Sequence, residues 1–265
     1  MVEETRDTEL LSGFFNADPA LYVYLLGDLD PFFFQATQWW VTRRDVVTSS
    51  LLLYTAFDTA VVVGLADNDD QGRLWETLLP DLPVRAHAHY RQQHEPILRR
   101  RYRVQNLGTH QRMQWNRETA TLDCAPPGGG EVRVLSEADR ERIAALYRAA
   151  YPGAFFDERT LGIGRTIGVF AGDELAAIAA CHVYSRQYSV AAIGAVATHP
   201  EYRGRGFCTA ATRALIELLA DDVETIALNV HCENKSAIRI YERLGFERRH
   251  YYEEAIIEAV KGGNR

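Results

Sequence analysis

The sequence has few cysteines, and none of them stand in the spacing that metal or disulfide sites use. Cys124, Cys181, Cys208 and Cys232 are widely separated and form no Cys-x-x-Cys pair. This spacing argues against a cysteine zinc site and against the disulfide framework of a small secreted domain. We therefore expect buried or incidental thiols, and no cluster of metal ligands stands out elsewhere in the sequence.

Long apolar runs and an excess of basic residues are also lacking. No stretch approaches the roughly 20 apolar residues that a membrane-spanning helix requires. The first residues, MVEETRDTELLSG, carry acids where a signal peptide carries bases. With 29 Lys and Arg against 36 Asp and Glu, the net charge is -7, which gives no general attraction to nucleic acid or anionic membranes. We expect a cytoplasmic protein with neither nucleic acid nor membrane as a partner.

Length and composition predict a globular chain of two domains. The chain has 265 residues, of which 47% are hydrophobic and 25% charged, so each half is large enough to bury a core. The run from Pro126 to Gly130, PPGGG, sustains neither a helix nor a central strand. We place the boundary there and expect domains at residues 1–125 and 126–265.

The C-terminal half shows the patterns of an α/β fold. Alternation predicts strands at Glu131 to Leu135, Thr166 to Phe170, Glu174 to Tyr184, Ser189 to Thr198, Thr225 to Val230 and from Phe246 onward. Helical spacing predicts a helix capped by Ser136, with Asp139 three residues later and Ile143, Leu146, Tyr147 and Ala150 on one face. Further helices are expected at Phe155 to Ile163, Thr209 to Leu219 and Ser236 to Leu244.

The N-terminal half is less regular but also suggests an α/β pattern. Helices are expected at Glu9 to Phe15 and Arg73 to Leu79, an apolar stretch at Ala20 to Leu29, and strands near Trp39 to Thr42, Ser50 to Ala56 and Thr59 to Leu65. Its aromatic segment PFFFQATQWW is more typical of a core than of a pocket lining. The basic run from Arg99 to Arg103 is more typical of a solvated face than of an anion site.

One loop carries the strongest functional signal. Arg203, Gly204, Arg205 and Gly206 stand between a predicted strand and a predicted helix. A helix start offers unpaired amides and partial positive charge, and glycines let the backbone approach closely, so the loop suits a phosphate or pyrophosphate. The spacing fits neither a Walker loop, which needs Gly-Lys-Ser/Thr, nor a dinucleotide fingerprint, which needs a small residue where Thr209 stands.

This loop and its neighbours resemble the GNAT superfamily of N-acetyltransferases. HPEYRGRGFC follows the strand AAIGAVAT and precedes NKSAIRIYERLGF, and the only departure from the loop pattern is Cys208 where Gly or Ala is usual. The resemblance covers Glu131 to Ala259. It implies a GNAT fold there, with a mixed, mostly antiparallel central sheet flanked by helices. It also suggests a two-part member, like FR47-like and glycine N-acyltransferase-like proteins, whose N-terminal half is a degenerate copy without a cofactor site.

The resemblance also implies roles for individual residues. The amides of the loop, Arg203, Gly204, Arg205, Gly206, Phe207 and Cys208, would hold the coenzyme A pyrophosphate. Val196, Ala197 and Thr198 match a bulged strand that pairs with the pantetheine arm and supplies an oxyanion amide. Asn234 matches a pantetheine contact, and Tyr241 matches the general acid that protonates the departing thiolate. His182, Glu201, His231 and Glu233 are candidates for the general base, and the chemistry requires no metal.

Three functions remain open at this point. The first is acetyl-CoA-dependent transfer of an acetyl or other short acyl group to a small amine or amino-acid-like acceptor. The second is an acyltransferase that takes its donor from charged tRNA, against which the acidic net charge and the intact coenzyme loop argue. The third is a module that senses acyl-CoA without turnover. The sequence does not name the acceptor, and it is compatible with an oligomer.

Overall fold

The computed structural model describes residues 1–120, 130–154 and 156–260, and the chain divides into two compact units. The first contains Met1–Arg112, Val230–Asn234 and the described residues from Arg249 onward; the second contains Met113–Asn229 and Lys235–Arg248. The expected boundary at Pro126 to Gly130 lies, except for Gly130, outside the described residues. The division into residues 1–125 and 126–265 therefore stays a prediction.

The first unit contains strands and helices from both ends of the chain. Its strands are β1 (Val2–Thr5), β2 (Thr37–Arg43), β3 (Val47–Tyr54), β4 (Ala60–Gly64), β5 (Arg85–Tyr90), most of β6 (Tyr102–Trp115) and most of β12 (Phe246–Ala259). Its helices are α1 (Thr8–Phe15), α2 (Val23–Gly27), α3 (Pro31–Phe34), α4 (Asp69–Leu78) and α5 (Glu95–Leu98), with a 3-10 turn at Gln92–His94.

The strands of this unit lie in the order β1-β2-β3-β4-β5-β12-β6. β4 and β5 run parallel, whereas the pairs β1 with β2, β2 with β3, β3 with β4 and β5 with β12 are antiparallel. β12 is therefore a central strand, although it comes last in the chain.

Helix α4 closes the core of the first unit. It begins where the Asn68 side chain accepts a hydrogen bond from the Gln71 amide, and two acids occupy its first turn, where the helix dipole favours negative charge. Its Leu74 and Trp75 are fully buried in a cluster with residues of β3, β4, β5 and β12. Gly64 lies directly against this helix, because a Cβ added there would meet the Trp75 ring at 2.8 Å.

The second unit contains the remaining elements. Its strands are β7 (Glu131–Val134), β8 (Thr166–Ala171), β9 (Glu174–Ser185), β10 (Val190–Thr198) and most of β11 (Thr225–His231). Its helices are α6 (Arg140–Ala150), α7 (Phe207–Ala220) and α8 (Lys235–Arg243), with 3-10 turns at Glu137–Asp139, Glu158–Ile163 and Pro200–Tyr202. The strand order is β11-β10-β9-β8-β7, with β10 and β11 parallel and the other pairs antiparallel.

Both faces of this sheet are covered. Ile178 and Ala180 of β9 pack with α6 in one buried cluster, and α7 also packs on β8, β9 and β10. Because successive side chains of a strand point to opposite faces, a strand covered on both faces should be apolar throughout. The run from Leu175 to Cys181 is apolar and buried without interruption, as this predicts.

The expected fold class is confirmed: the sheets are mixed, mostly antiparallel and flanked by helices. The Ser136 capping box with Asp139 is present. Of the aromatic segment expected in the core, Phe33 and Trp39 are buried, whereas Phe32 is exposed. The helix expected from Phe155 to Ile163 is instead a 3-10 turn at Glu158–Ile163; Phe155 itself lies outside the described residues. β5 and β6 were not predicted, because their polar residues hide the strand pattern. Within the described residues, no helix is long and apolar enough to cross a bilayer.

We predict that Gly64→Ala lowers the free energy of unfolding by about 1–3 kcal/mol, because the added methyl group overpacks a rigid, buried indole. Gly13→Ala, in α1, is the matched control because a Cβ there meets nothing within 4 Å. That control should be neutral or stabilising by up to about 1 kcal/mol. Urea denaturation of both variants checks this, and equal midpoints for the two would contradict the packing argument.

Candidate functional site

The centre of the site is a bulge in β10. The parallel pairs with β11 run from Val190 with Thr225 to Ile193 with Leu228. Directly after this, the register with β9 shifts between Gly194 and Ala197, and Ala195 adopts a φ of +48°. A non-glycine residue in the left-handed region is strained and needs support from its surroundings. The bulge thus lies at Ala195 and Val196, so it begins one residue before the expected stretch Val196 to Thr198.

A buried phenol provides that support. The Tyr147 hydroxyl, on α6, donates a hydrogen bond of 2.7 Å to the Ala195 carbonyl. Burial raises the pKa of Tyr147 well above its ordinary value, so the phenol stays protonated and remains a donor. α6 therefore fixes the backbone at the point where β10 leaves its regular pairing. The sequence predicted Tyr147 only as a helix-face residue, since nothing local connects it with Ala195.

His182 lies beside the same segment. A Cβ added at Gly194 would stand 2.3 Å from the His182 Cε1 atom, so the ring rests directly on the glycine backbone. Only glycine allows this approach without displacing the imidazole. Among the general-base candidates, His182 is thus placed against the bulged strand.

The loop after β10 has the backbone of an anion site. Gly204 and Gly206 have φ values of +71° and +89°, a conformation that other residues adopt only with strain. Gly206 is the N-cap of α7, and no side chain caps the first amides of this helix. Uncapped amides at the start of a helix, together with its dipole, favour a phosphate group.

The side chains of the two arginines of the loop contact neighbouring residues. The Arg203 guanidinium donates to the Thr198 carbonyl at 3.4 Å and to the Ala150 carbonyl at 3.1 Å. The Arg205 guanidinium lies 5.4 Å from the centre of the Tyr202 ring. Both residues are exposed, so they add positive charge at the rim of the loop.

Cys208, in the first turn of α7, is poorly suited to nucleophilic catalysis. Burial raises the pKa of its thiol, whereas a reactive cysteine needs a lowered pKa and a populated thiolate. Cys208 is small, as are the Gly or Ala residues that the loop pattern usually has at this position.

Tyr241 lies on α8 and is 7% exposed. Its ring packs edge-on against Phe246 at a centroid distance of 5.9 Å, and Ile238 is buried on the same helix. This position suits a core aromatic residue as well as a proton donor, so the general-acid role stays a prediction.

The remaining predicted residues do not all lie in one unit. Glu201 is exposed in the 3-10 turn before the loop. His231, Glu233 and Asn234 belong to the first unit. There the His231 Nδ1 atom accepts a hydrogen bond of 3.1 Å from the Glu233 amide. The second unit thus holds Val196 to Cys208, His182, Glu201 and Tyr241.

The sequence showed no metal-ligand cluster, but the described residues contain one candidate. His87, His89 and Glu254, in the first unit, offer ligand atoms that lie within 4.8 Å of one another. The alternation in RAHAHY, residues 85–90, is a local signal, because it puts His87 and His89 on one face of a strand. Glu254 is brought to them only by the pairing of β12 with β5.

Comparisons with known proteins agree with this fold. Residues 133–246 match the model of the Acetyltransferase (GNAT) family, and no curated protein matched the chain. A Drosophila protein of known structure shares 17% identity, with 98% of each chain covered and a TM-score of 0.73. A GNAT-family protein from Novosphingobium aromaticivorans shares 24% identity over 75% of this chain and 84% of its own, with a TM-score of 0.53.

A further match covers both halves of the chain. A tandem GNAT protein from the clavulanic acid biosynthesis pathway shares 14% identity, with 100% of each chain covered and a TM-score of 0.57. At this identity the likeness shows the fold alone. It extends the similarity of fold to the N-terminal half, whose lack of a cofactor site stays a prediction.

We predict that Tyr147→Phe lowers the free energy of unfolding by about 1–3 kcal/mol, because the buried Ala195 carbonyl loses its donor. Tyr151→Phe, at a tyrosine of the same segment that is 51% exposed, is the control and should change stability by less than about 0.5 kcal/mol. Urea denaturation measures both. If the two variants unfold alike, the hydrogen bond does not support the bulge.

Proposed function

We propose, from the match of residues 133–246 to the Acetyltransferase (GNAT) family, that this chain transfers an acetyl group from acetyl-CoA to a primary amine. The transfer occurs by direct attack in a ternary complex. The acceptor is a small molecule, an amine or an amino-acid-like compound.

One observation supports this proposal above the others: the bulged strand leads directly into an uncapped helix start. β10 ends at Thr198 and α7 begins at Phe207, and the two glycines with positive φ stand between them. An elongated substrate with a pyrophosphate at one end fits this order. Its anion would bind the amides of residues 203–208, and its extended arm would run along the β10 backbone.

The second unit also offers groups for the chemistry. The β10 backbone at Val196, Ala197 and Thr198 would pair with the pantetheine arm, and an amide of this segment would stabilise negative charge on the acyl oxygen. The amine forms a bond to the acyl carbon as the carbon–sulfur bond breaks. Tyr241 would donate a proton to the departing thiolate, and the contact of Asn234 with the arm stays a prediction.

The attacking amine must also lose a proton. His182 is a candidate for this base because its ring rests on Gly194 of the bulged strand; Glu201 is an alternative in the turn before the loop. A covalent acyl-enzyme on Cys208 is disfavoured, because burial raises the pKa of that thiol. Direct transfer therefore agrees better with the site than a two-step route.

The direct test is release of coenzyme A thiol from acetyl-CoA in the presence of a panel of primary amines, with acetylated product identified by mass spectrometry. Turnover with at least one amine is expected. Tight acetyl-CoA binding without turnover for any amine would favour an acyl-CoA sensor. Product formed only from charged tRNA would favour the aminoacyl-transfer alternative.

We predict that Tyr241→Phe lowers kcat by about 100-fold or more, because the thiolate loses its proton donor. The Kd for acetyl-CoA should not change, since the aromatic ring and its packing are retained. Tyr251→Phe, at an exposed tyrosine of the first unit, controls for the loss of a phenol elsewhere. An unchanged kcat in Tyr241→Phe would exclude the general-acid role.

We predict that Gly206→Val weakens acetyl-CoA binding at least tenfold, or about 1.4 kcal/mol, because a β-branched residue resists the positive φ and crowds the anion site. Gly172→Val is the matched control: Gly172 has a φ of +62° with nothing within 4 Å of an added Cβ, and it lies in the turn between β8 and β9. Isothermal titration with acetyl-CoA compares them. Equal affinity in the two variants would refute the loop assignment.

A further inference from the structure

Three histidines and one glutamate converge on one face of the first unit. The alternation of β5 puts His87 and His89 on the same face, and Glu254 of β12 is paired with His89 across the strands. The His87 and His89 Nε2 atoms lie 3.3 Å and 3.9 Å from Glu254 carboxylate oxygens. His110, on β6, brings its Nε2 atom to 3.7 Å from the same carboxylate.

One ring nitrogen of each of these histidines lies close to the carboxylate. The His110 Nδ1 atom is 3.1 Å from the Gly108 carbonyl, and a carbonyl only accepts, so Nδ1 carries the proton. In the neutral ring, Nε2 then carries a lone pair, 3.7 Å from a Glu254 oxygen. The His87 Nε2 atom is buried and forms no hydrogen bond of good geometry, although it lies 3.3 Å from the same oxygen. A nitrogen lone pair and a carboxylate oxygen at these distances repel each other unless a proton or a metal cation lies between them.

A second layer of contacts orients the carboxylate. The Tyr252 hydroxyl donates a hydrogen bond of 2.6 Å to Glu254 Oε1, and the Tyr252 ring is itself buried. The Arg112 guanidinium lies over this ring, 5.4 Å from its centre. Outer contacts of this kind commonly fix the ligands of a metal site.

We propose that His87, His89 and Glu254 bind a divalent transition-metal ion of the zinc class. Imidazole and carboxylate donors suit Zn²⁺, and tetrahedral bonds of about 2.0–2.1 Å place ligand atoms about 3.3 Å apart. The distance from His87 to the carboxylate equals this spacing, and the distance from His89 is 3.9 Å, a difference that small side-chain rotations can close. The three side chains are 13–25% exposed, so an ion can enter from solvent.

The site is independent of the proposed acyl transfer. All of its ligands belong to the first unit, and no step of the transfer uses them. The alternative is that only hydrogen bonds to the Glu254 carboxylate hold these side chains together and that the cluster binds no ion. Metal binding distinguishes the two without any measurement of activity.

The test uses the full chain after treatment with a chelator, titrated with Zn²⁺ by calorimetry and with Co²⁺ by visible absorption. We expect one equivalent of Zn²⁺ and the intense absorption of four-coordinate Co²⁺. His87→Asn and Glu254→Gln should each weaken binding by about 100-fold or more, beyond the 10–100-fold typical of outer contacts. His199→Asn, a histidine of the second unit, should bind as the unaltered protein does.

Folding of each variant is checked by circular dichroism. Tyr252→Phe keeps every ligand and removes only the carboxylate contact, so it should weaken Zn²⁺ binding by about 10–100-fold. The proposal is overturned if the unaltered chain binds no stoichiometric metal. It is equally overturned if His87→Asn, shown to be folded, binds Zn²⁺ as tightly as His199→Asn.

Discussion

The hydrogen bond between the Tyr147 hydroxyl and the Ala195 carbonyl is the contact on which the site of the second unit depends. Without a fixed donor, a residue at a φ of +48° would relax toward regular strand geometry. β10 would then continue its pairing with β11 beyond Ile193. The backbone N–H and C=O groups of this segment would form hydrogen bonds within the sheet. Because the bulge is held, β10 pairs with β9 again at Ala197, while its pairing with β11 ends at Ile193.

The loop that follows extends this arrangement. Two glycines turn the chain into α7, and the absence of a capping side chain at Gly206 leaves the helix amides to a ligand. Arg203 and Arg205 donate hydrogen bonds to backbone carbonyls of neighbouring segments, which keeps their charge at the rim. A strand edge followed by an anion site matches the chemical order of acetyl-CoA, in which an extended arm joins a pyrophosphate.

The first unit contains a separate feature, the cluster of histidines around Glu254. Its histidines come from β5 and β6 and its carboxylate from β12, so the cluster exists only once the last strand of the chain lies beside β5. A strand order that inserts the C-terminal strand between β5 and β6 therefore has a consequence besides stability. It brings histidines and a carboxylate together in the first unit, which does not contain the glycine–arginine loop.

The sequence by itself determined the fold class, the capping box at Ser136, most strands of the second unit and the glycine–arginine loop. These features are local: a cap, an alternating strand and a loop are each built from consecutive residues, so their physics can be interpreted along the chain. The tertiary structure decided the position of the bulge, the role of Tyr147, and the meeting of His87, His89 and His110 with Glu254. Those depend on strand pairing and helix packing between residues up to 167 positions apart, as between His87 and Glu254, and no local pattern encodes which distant strands become neighbours.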